Sequence, residues 1–246
     1  LKAQLALVEQ AEQGAKPKRN ELGYLRETVT TTRSPQPKLR KQVATAEGST
    51  QRTLRTATHQ ISISHAMSYC AFSPDGSVIV TAGEDNSLHV WKVEPRSGTF
   101  VCVQVLAGHT GVVHSCAFAE DGQTIASTSQ DNTGCFWDAA TGAALATLEG
   151  HKGAVYACKF GPGSDVLATG SLDETVKLWN TPDGECIATL EGHQGAVRAV
   201  DFSPDGGYVA SCGDDSAVRL WQVWSGECIV SLPGHTGRVW GVAYAN

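Results

Sequence analysis

The sequence predicts an all-β repeat protein built from four-stranded units, and three observations carry that prediction. A Gly-His pair recurs ahead of an Asp and a Trp, as Gly108-His109 with Asp131 and Trp137, Gly150-His151 with Asp173 and Trp179, and Gly192-His193 with Asp215 and Trp221. In each copy His to Asp is 22 residues and Asp to Trp is 6, and His109, His151, His193 and His235 recur every 42. Between these markers lie short runs of Val, Ile, Leu, Thr, Phe and Trp bounded by Gly, Pro, Asp and Ser, the composition of strands and tight turns. A fixed period of this length means stacked supersecondary units, none of which can bury both its faces alone.

The elements follow in chain order. Residues 1–14 read as a helix, because Leu1, Leu5, Val8 and Glu12 make a stripe at helical spacing, with a coiled-coil end as a further reading. Gly14 and Pro17 end it. Residues 15–50 are polar and basic, with Lys16-Pro-Lys-Arg, Ser34-Pro-Gln-Pro and Lys38-Leu-Arg-Lys, and read as a linker or arm, with one short helix from Glu21 to Val29 as an option. Strands begin near residue 51, and 51–246 reads as the repeat domain. An outer strand is expected over Arg52–His59, then Tyr69–Phe72, the turn Ser73-Pro-Asp-Gly76, Val78–Ala82, Asp85 and Leu88–Trp91. In the unit after His151 the four strands are expected at Val155–Phe160, Val166–Thr169, Thr175–Trp179 and Glu185–Leu190. Gly234-His235 opens a fifth unit in which Tyr244 falls where Phe118, Phe160 and Phe202 fall, so one further strand is expected there.

Charge is uneven. Residues 1–60 carry 11 Lys/Arg against 5 Asp/Glu, while 61–246 carry 8 against 20. The acidic body argues against phosphate-backbone binding by the repeats, and leaves nucleic acid as a partner only for the basic arm. No run approaches the roughly 18 to 20 apolar residues of a membrane helix. The eight Cys include no Cys-x-x-Cys. Cys116 and Cys158 both lie seven after their His, and Cys186 and Cys228 both lie seven after their Trp, so all four read as small buried apolar residues rather than a disulfide framework. That usage suits a reducing compartment, cytoplasmic or nuclear.

His, Ser and Asp recurring together invite a hydrolase reading. Repetition opposes it, since an enzyme needs one such site and a structural device is needed in every unit. No Gly-x-Ser-x-Gly, phosphate-binding loop, His-Glu-x-x-His or paired-Cys metal spacing is present, and no cofactor is implied.

The Gly-His pairs, Phe-Ser-Pro-Asp-Gly at 72–76 and 202–206, the turn Asp residues and Trp137-Asp138 resemble the WD-repeat family of β-propellers. Trp137 alone is followed by Asp; Lys92, Asn180 and Gln222 stand there in the other units. The resemblance implies an all-β propeller with four full repeats and the start of a fifth, part of a seven-bladed ring that continues beyond this chain, carrying the N-terminal helix and arm. It implies a buried hydrogen-bond network in each blade, joining His109, Ser127, Asp131 and Trp137, then His151, Thr169, Asp173 and Trp179, then His193, Ser211, Asp215 and Trp221. Independently of the family, a buried indole N–H, hydroxyl, imidazole and carboxylate must find partners, and a closed set satisfies them together. The first unit has Thr81, Asp85 and Trp91, but register puts its His at Ile63; His59 or His65 stands in, or the network there is incomplete.

The resemblance also places binding residues at the channel mouth. The residue five after each His is His114, Tyr156, Arg198 and Trp240, with Ser68 in the first unit; the residue before each turn Asp is Glu84, Gln130, Leu172 and Asp214. These eight vary while neighbouring core positions repeat, and Tyr, Trp and Arg dominate binding hot spots. The expectation is a non-enzymatic, cytoplasmic scaffold subunit that binds other proteins or peptides through the propeller top face and the N-terminal helix in a large assembly, of the cytoskeletal or ciliary, splicing, autophagy or ubiquitin kind. The alternatives are the recognition part of an enzyme whose catalytic domain lies elsewhere, and a nucleic-acid-associated subunit acting through the arm.

Overall fold

Sixteen β-strands, four to a sheet, account for nearly all the regular structure among the described residues. The computed structural model describes residues 66–94, 99–181 and 183–245, all within one compact unit. The expected helix over 1–14, the arm over 15–50, the strand over 52–59, and His59, Ile63 and His65 lie outside the described residues.

Each sheet is an antiparallel meander in chain order. The first holds β1 (Met67–Phe72), β2 (Val78–Gly83), β3 (Ser87–Val93) and β4 (Phe100–Ala107). The second holds β5 (Val113–Phe118), β6 (Thr124–Ser129), β7 (Gly134–Asp138) and β8 (Ala144–Leu148). The third holds β9 (Val155–Phe160), β10 (Val166–Ser171), β11 (Val176–Asn180) and β12 (Cys186–Leu190), each within two residues of expectation. The fourth holds β13 (Val197–Phe202), β14 (Tyr208–Gly213), β15 (Ala217–Gln222) and β16 (Cys228–Pro233). These sheets are the blades of a propeller. Their first strands stand side by side, β1 against β5, β5 against β9 and β9 against β13.

The core lies between blades rather than within them. One layer joins Val80, Leu88 and Leu106 of the first blade to Val113, Ile125 and Trp137 of the second. The next joins Phe136 and Leu148 to Phe160, Leu167 and Trp179. The third joins Leu178 and Leu190 to Val197, Val209 and Trp221. The second strand of each sheet is small and almost wholly buried, as in Leu167-Ala-Thr-Gly-Ser171, which lets the next sheet approach. The Gly of the Gly-His pair serves the same packing: Gly150 and Gly192 adopt φ of 145° and 150°, and a Cβ there would stand 3.6 and 3.3 Å from the Trp179 and Trp221 rings.

Two departures from a regular ladder recur. In all four blades the first and second strands slip by one residue near the start of the first, leaving Ser68, His114, Tyr156 and Arg198 as the extra, unpaired residue. In all four the third and fourth strands slip beside the Trp, leaving Val103, Leu145, Ile187 and Ile229 unpaired. Both are β-bulges, which bend a strand and re-aim a side chain.

Two expectations are corrected. Cys116 and Cys158 are buried, but Cys186 and Cys228 are exposed, because they open the outer strand of their blade, where no following strand covers them. All eight thiols are free. Residues 234–245 form no strand. Val239 N–H bonds the Gly213 carbonyl at 2.9 Å and Tyr244 N–H bonds Asp201 at 2.8 Å, but among the described residues this segment has no ladder partner to complete a strand.

Candidate interaction face

The repeated His, Ser/Thr, Asp and Trp do assemble, three times over. In the third blade His151 Nδ1 lies 2.8 Å from Asp173 Oδ2 and Nε2 lies 2.7 Å from Thr169 Oγ1, which accepts the Trp179 indole N–H at 2.8 Å. The second blade repeats this with His109, Asp131, Ser127 and Trp137 at 3.0, 2.8 and 2.7 Å. The fourth does so with His193, Asp215, Ser211 and Trp221 at 2.8, 2.7 and 2.7 Å. The carboxylate accepts a hydrogen bond from Nδ1–H, so Nε2 accepts from the hydroxyl, and the hydroxyl accepts from the indole: every polar atom is used. The carboxylate also accepts a backbone amide from the residue after the His, Thr110, Lys152 or Gln194.

These clusters are closed to substrate. The three His side chains are 3, 1 and 0% exposed, and the hydroxyl a hydrolase would use as nucleophile is already engaged by two partners. Burial pushes the Asp173 carboxyl up, but bonds from Thr175, the Lys152 amide and His151 outweigh it and hold the group at about 2. Asp131 is likewise about 2. Burial holds His151 and His193 below the ordinary imidazole range despite their carboxylates.

Both shifts have the same consequence. A group whose pKa is depressed on folding leaves the unfolded chain the better proton binder, so stability falls as pH drops below the unfolded value. The melting temperature is expected to be level from about pH 6.5 to about 8, to decline below that range as the histidines protonate in the unfolded chain, and to fall more steeply from about pH 4 towards 2. Thermal melts across that range check this; a melting temperature that rises from pH 7 to 5 would contradict it.

The first blade solves the same problem differently. Trp91 N–H bonds Thr81 Oγ1 at 2.9 Å, while His89 Nε2 lies 2.7 Å from Asp85 Oδ2 and 3.1 Å from Ser87 Oγ. His89 stacks on Trp91 with ring centroids 6.0 Å apart. This His lies within β3 rather than upstream of the blade, where register places it. The available signal was alternation: Asp85, Ser87, His89 and Trp91 share one face at period two.

The eight residues expected at the channel mouth divide. His114, Tyr156, Arg198 and Trp240 form a continuous ladder across successive units. The His114 and Tyr156 rings lie 5.0 Å apart at 49°. The Arg198 guanidinium lies 4.2 Å from the Tyr156 ring centre and 5.4 Å from that of Trp240, a cation held between two aromatic faces. Glu84, Gln130, Leu172 and Asp214 each sit in the turn after the second strand. Their backbone N–H groups bond Ala66, Val112, Ala154 and Ala196 at 2.8 to 3.0 Å, which ties each turn beside the adjacent bulge. In the fourth blade the two positions are joined through side chains: Arg198 Nε and Nη2 fork onto Asp214 at 2.9 and 2.7 Å. Arg238, which the sequence reading did not single out, approaches Asp214 to 3.7 Å. Glu84, Gln130 and Leu172 are exposed. Burial, then the Arg198 charge, lowers His114, so the ladder carries one fixed cation.

A family model described as "WD domain, G-beta repeat" matches residues 49–92, 100–138, 142–180 and 184–222. The last three matched segments each run from the outer strand of one blade through three strands of the next, so the sequence repeat is out of phase with the sheets and links them covalently. No curated protein matches the chain. No helix among the described residues is long and apolar enough to cross a membrane, and no group of three or more potential metal ligands occurs among them.

Proposed function

The chain belongs to the WD-repeat family, and from that premise we propose that it is a non-enzymatic scaffold subunit whose channel mouth grips a partner peptide. The single observation that carries the reading is the ladder His114–Tyr156–Arg198–Trp240, in which three blades each contribute one bulged residue and the segment after the fourth contributes Trp240 to one contiguous aromatic and cationic strip. Trp240 is 66% exposed, so a large apolar face is available without rearrangement, and Asp214 holds Arg198 in place, which limits the entropy lost on binding. Eight free thiols fit a reducing compartment.

The test is capture of partners by the tagged chain, with the recovered proteins quantified by mass spectrometry. Trp240→Ala and Arg198→Ala are each expected to weaken capture by roughly 30-fold, the scale of a hot-spot residue, with melting temperatures close to that of the unaltered chain. Capture undiminished in both variants would refute the assignment. The basic arm supports a second reading, since residues 1–60 carry 11 Lys/Arg against 5 Asp/Glu. If nucleic acid is the ligand, binding weakens steeply with salt and is lost with residues 1–50.

A further inference from the structure

A different side-chain cluster, on the outer edge of the first blade, carries chemistry that the interaction reading does not use. Three blades carry an exposed cysteine in the outer strand in the same register: Cys102 opposite Trp91, Cys186 opposite Trp179 and Cys228 opposite Trp221, each just before the bulge. Each sulfur lies 3.5 Å from the carbonyl two residues on, that of Gln104, Ala188 or Val230. The three sites differ in what stands across the sheet. Asp85, Asp173 and Asp215 are followed four residues later by His89, Lys177 and Arg219. A protonated Lys or an Arg can only donate hydrogen bonds, whereas an imidazole can also accept one.

Cys102 Sγ lies 3.8 Å from His89 Nδ1, and His89 Nε2 lies 2.7 Å from the Asp85 carboxylate. In the uncharged ring the carboxylate selects the Nε2–H tautomer, which leaves the Nδ1 lone pair facing the thiol. The order thiol, imidazole, carboxylate is the arrangement that activates a cysteine nucleophile. Unlike the buried networks of the other blades, its outer member is open to solvent.

We propose that Cys102 is a reactive thiol that exchanges with small disulfides, with His89 as its proton acceptor. The Cys102 S–H proton passes to His89 Nδ1, and the sulfur attacks one sulfur of the incoming disulfide. A new S–S bond forms as the old one breaks, and the departing thiolate recovers the proton from the imidazolium. Cys102 is oxidised to a mixed disulfide, and one half of the reagent is reduced to a thiol. The site is thus one for reversible modification by low-molecular-weight disulfides, placed on an edge strand that leaves room for the adduct.

Dithiodipyridine, an uncharged disulfide, tests this on the full, reduced chain, with pyridinethione release followed by absorbance and each modified cysteine identified by peptide mass spectrometry. Cys102 is expected to react about tenfold faster than Cys186 and Cys228, a fraction of what a well-aligned general base gives. His89→Gln should bring Cys102 down to the rate of the other two, while Cys186 and Cys228 keep their rates, the sign that their blades remain folded. His89→Lys, which reproduces the third blade, carries the same expectation should the Gln variant loosen the first. Equal rates for the three thiols in the unaltered chain, or a Cys102 rate unchanged in both variants, overturns the proposal.

Discussion

Replacing Trp179 with Ala is expected to cost about 3–5 kcal/mol, the range for truncating a large aromatic side chain in a core. The ring is 1% exposed and packs in one layer with Phe136, Leu148, Phe160 and Leu167. Phe136 and Leu148 come from the second blade and the others from the third, so the cavity opens the seam between two blades rather than the inside of one. The loss has a second part, because Thr169 Oγ1 loses its indole donor while His151 stays beside it. Trp179→Phe separates the two: it keeps most of the volume and removes the N–H, so its cost is expected to be about 1–2 kcal/mol. Urea unfolding of the three proteins makes the comparison. A loss below 1 kcal/mol for the Ala variant would mean that the blades are not held by these layers.

Asp173→Ala is expected to cost about 3 kcal/mol, through polar groups rather than volume. Asp173 Oδ2 serves His151 Nδ1 and the Lys152 amide, and Oδ1 serves the Thr175 amide and hydroxyl. With the side chain 10% exposed, water replaces these acceptors poorly, and each stranded donor costs about 1–3 kcal/mol. Asn is no remedy, since its NH2 would face two donors on one side or the other. Asp215→Ala should be milder. Ala217 stands where Thr175 stands, so Asp215 has no hydroxyl to satisfy on that side. Partner capture by folded Asp173→Ala at low temperature should match that of the unaltered chain, whereas Trp240→Ala shows the reverse pattern. Equal costs for Asp173→Ala and Asp215→Ala would remove the hydroxyl from the account.

The spacing of the markers was legible because packing sets it. A Trp at the seam needs its hydroxyl, His and Asp at fixed places, so 22 and 6 residues separate them in each copy and the strand limits follow. His114, Tyr156, Arg198 and Trp240 were legible as a set through their variation amid repetition. Their contact was not, since it depends on bulges that no pattern of alternation announces. Cys186 and Cys228 recur at an edge rather than in the core, because a repeat preserves edge positions as well as buried ones. His89 was missed because its role moved from the loop before the blade to a strand within it.

The bulge at the start of each first strand has a consequence for how such a protein changes over time. A residue inserted out of step with the ladder answers to no cross-strand partner and to neither buried face. Ser68, His114, Tyr156 and Arg198 occupy that one slot in four blades, and four unrelated side chains sit there above nearly interchangeable sheets. Each blade can therefore change this one side chain with little disturbance of its own ladder, while adjacent slots stay coupled, because the Tyr156 ring packs against both His114 and Arg198.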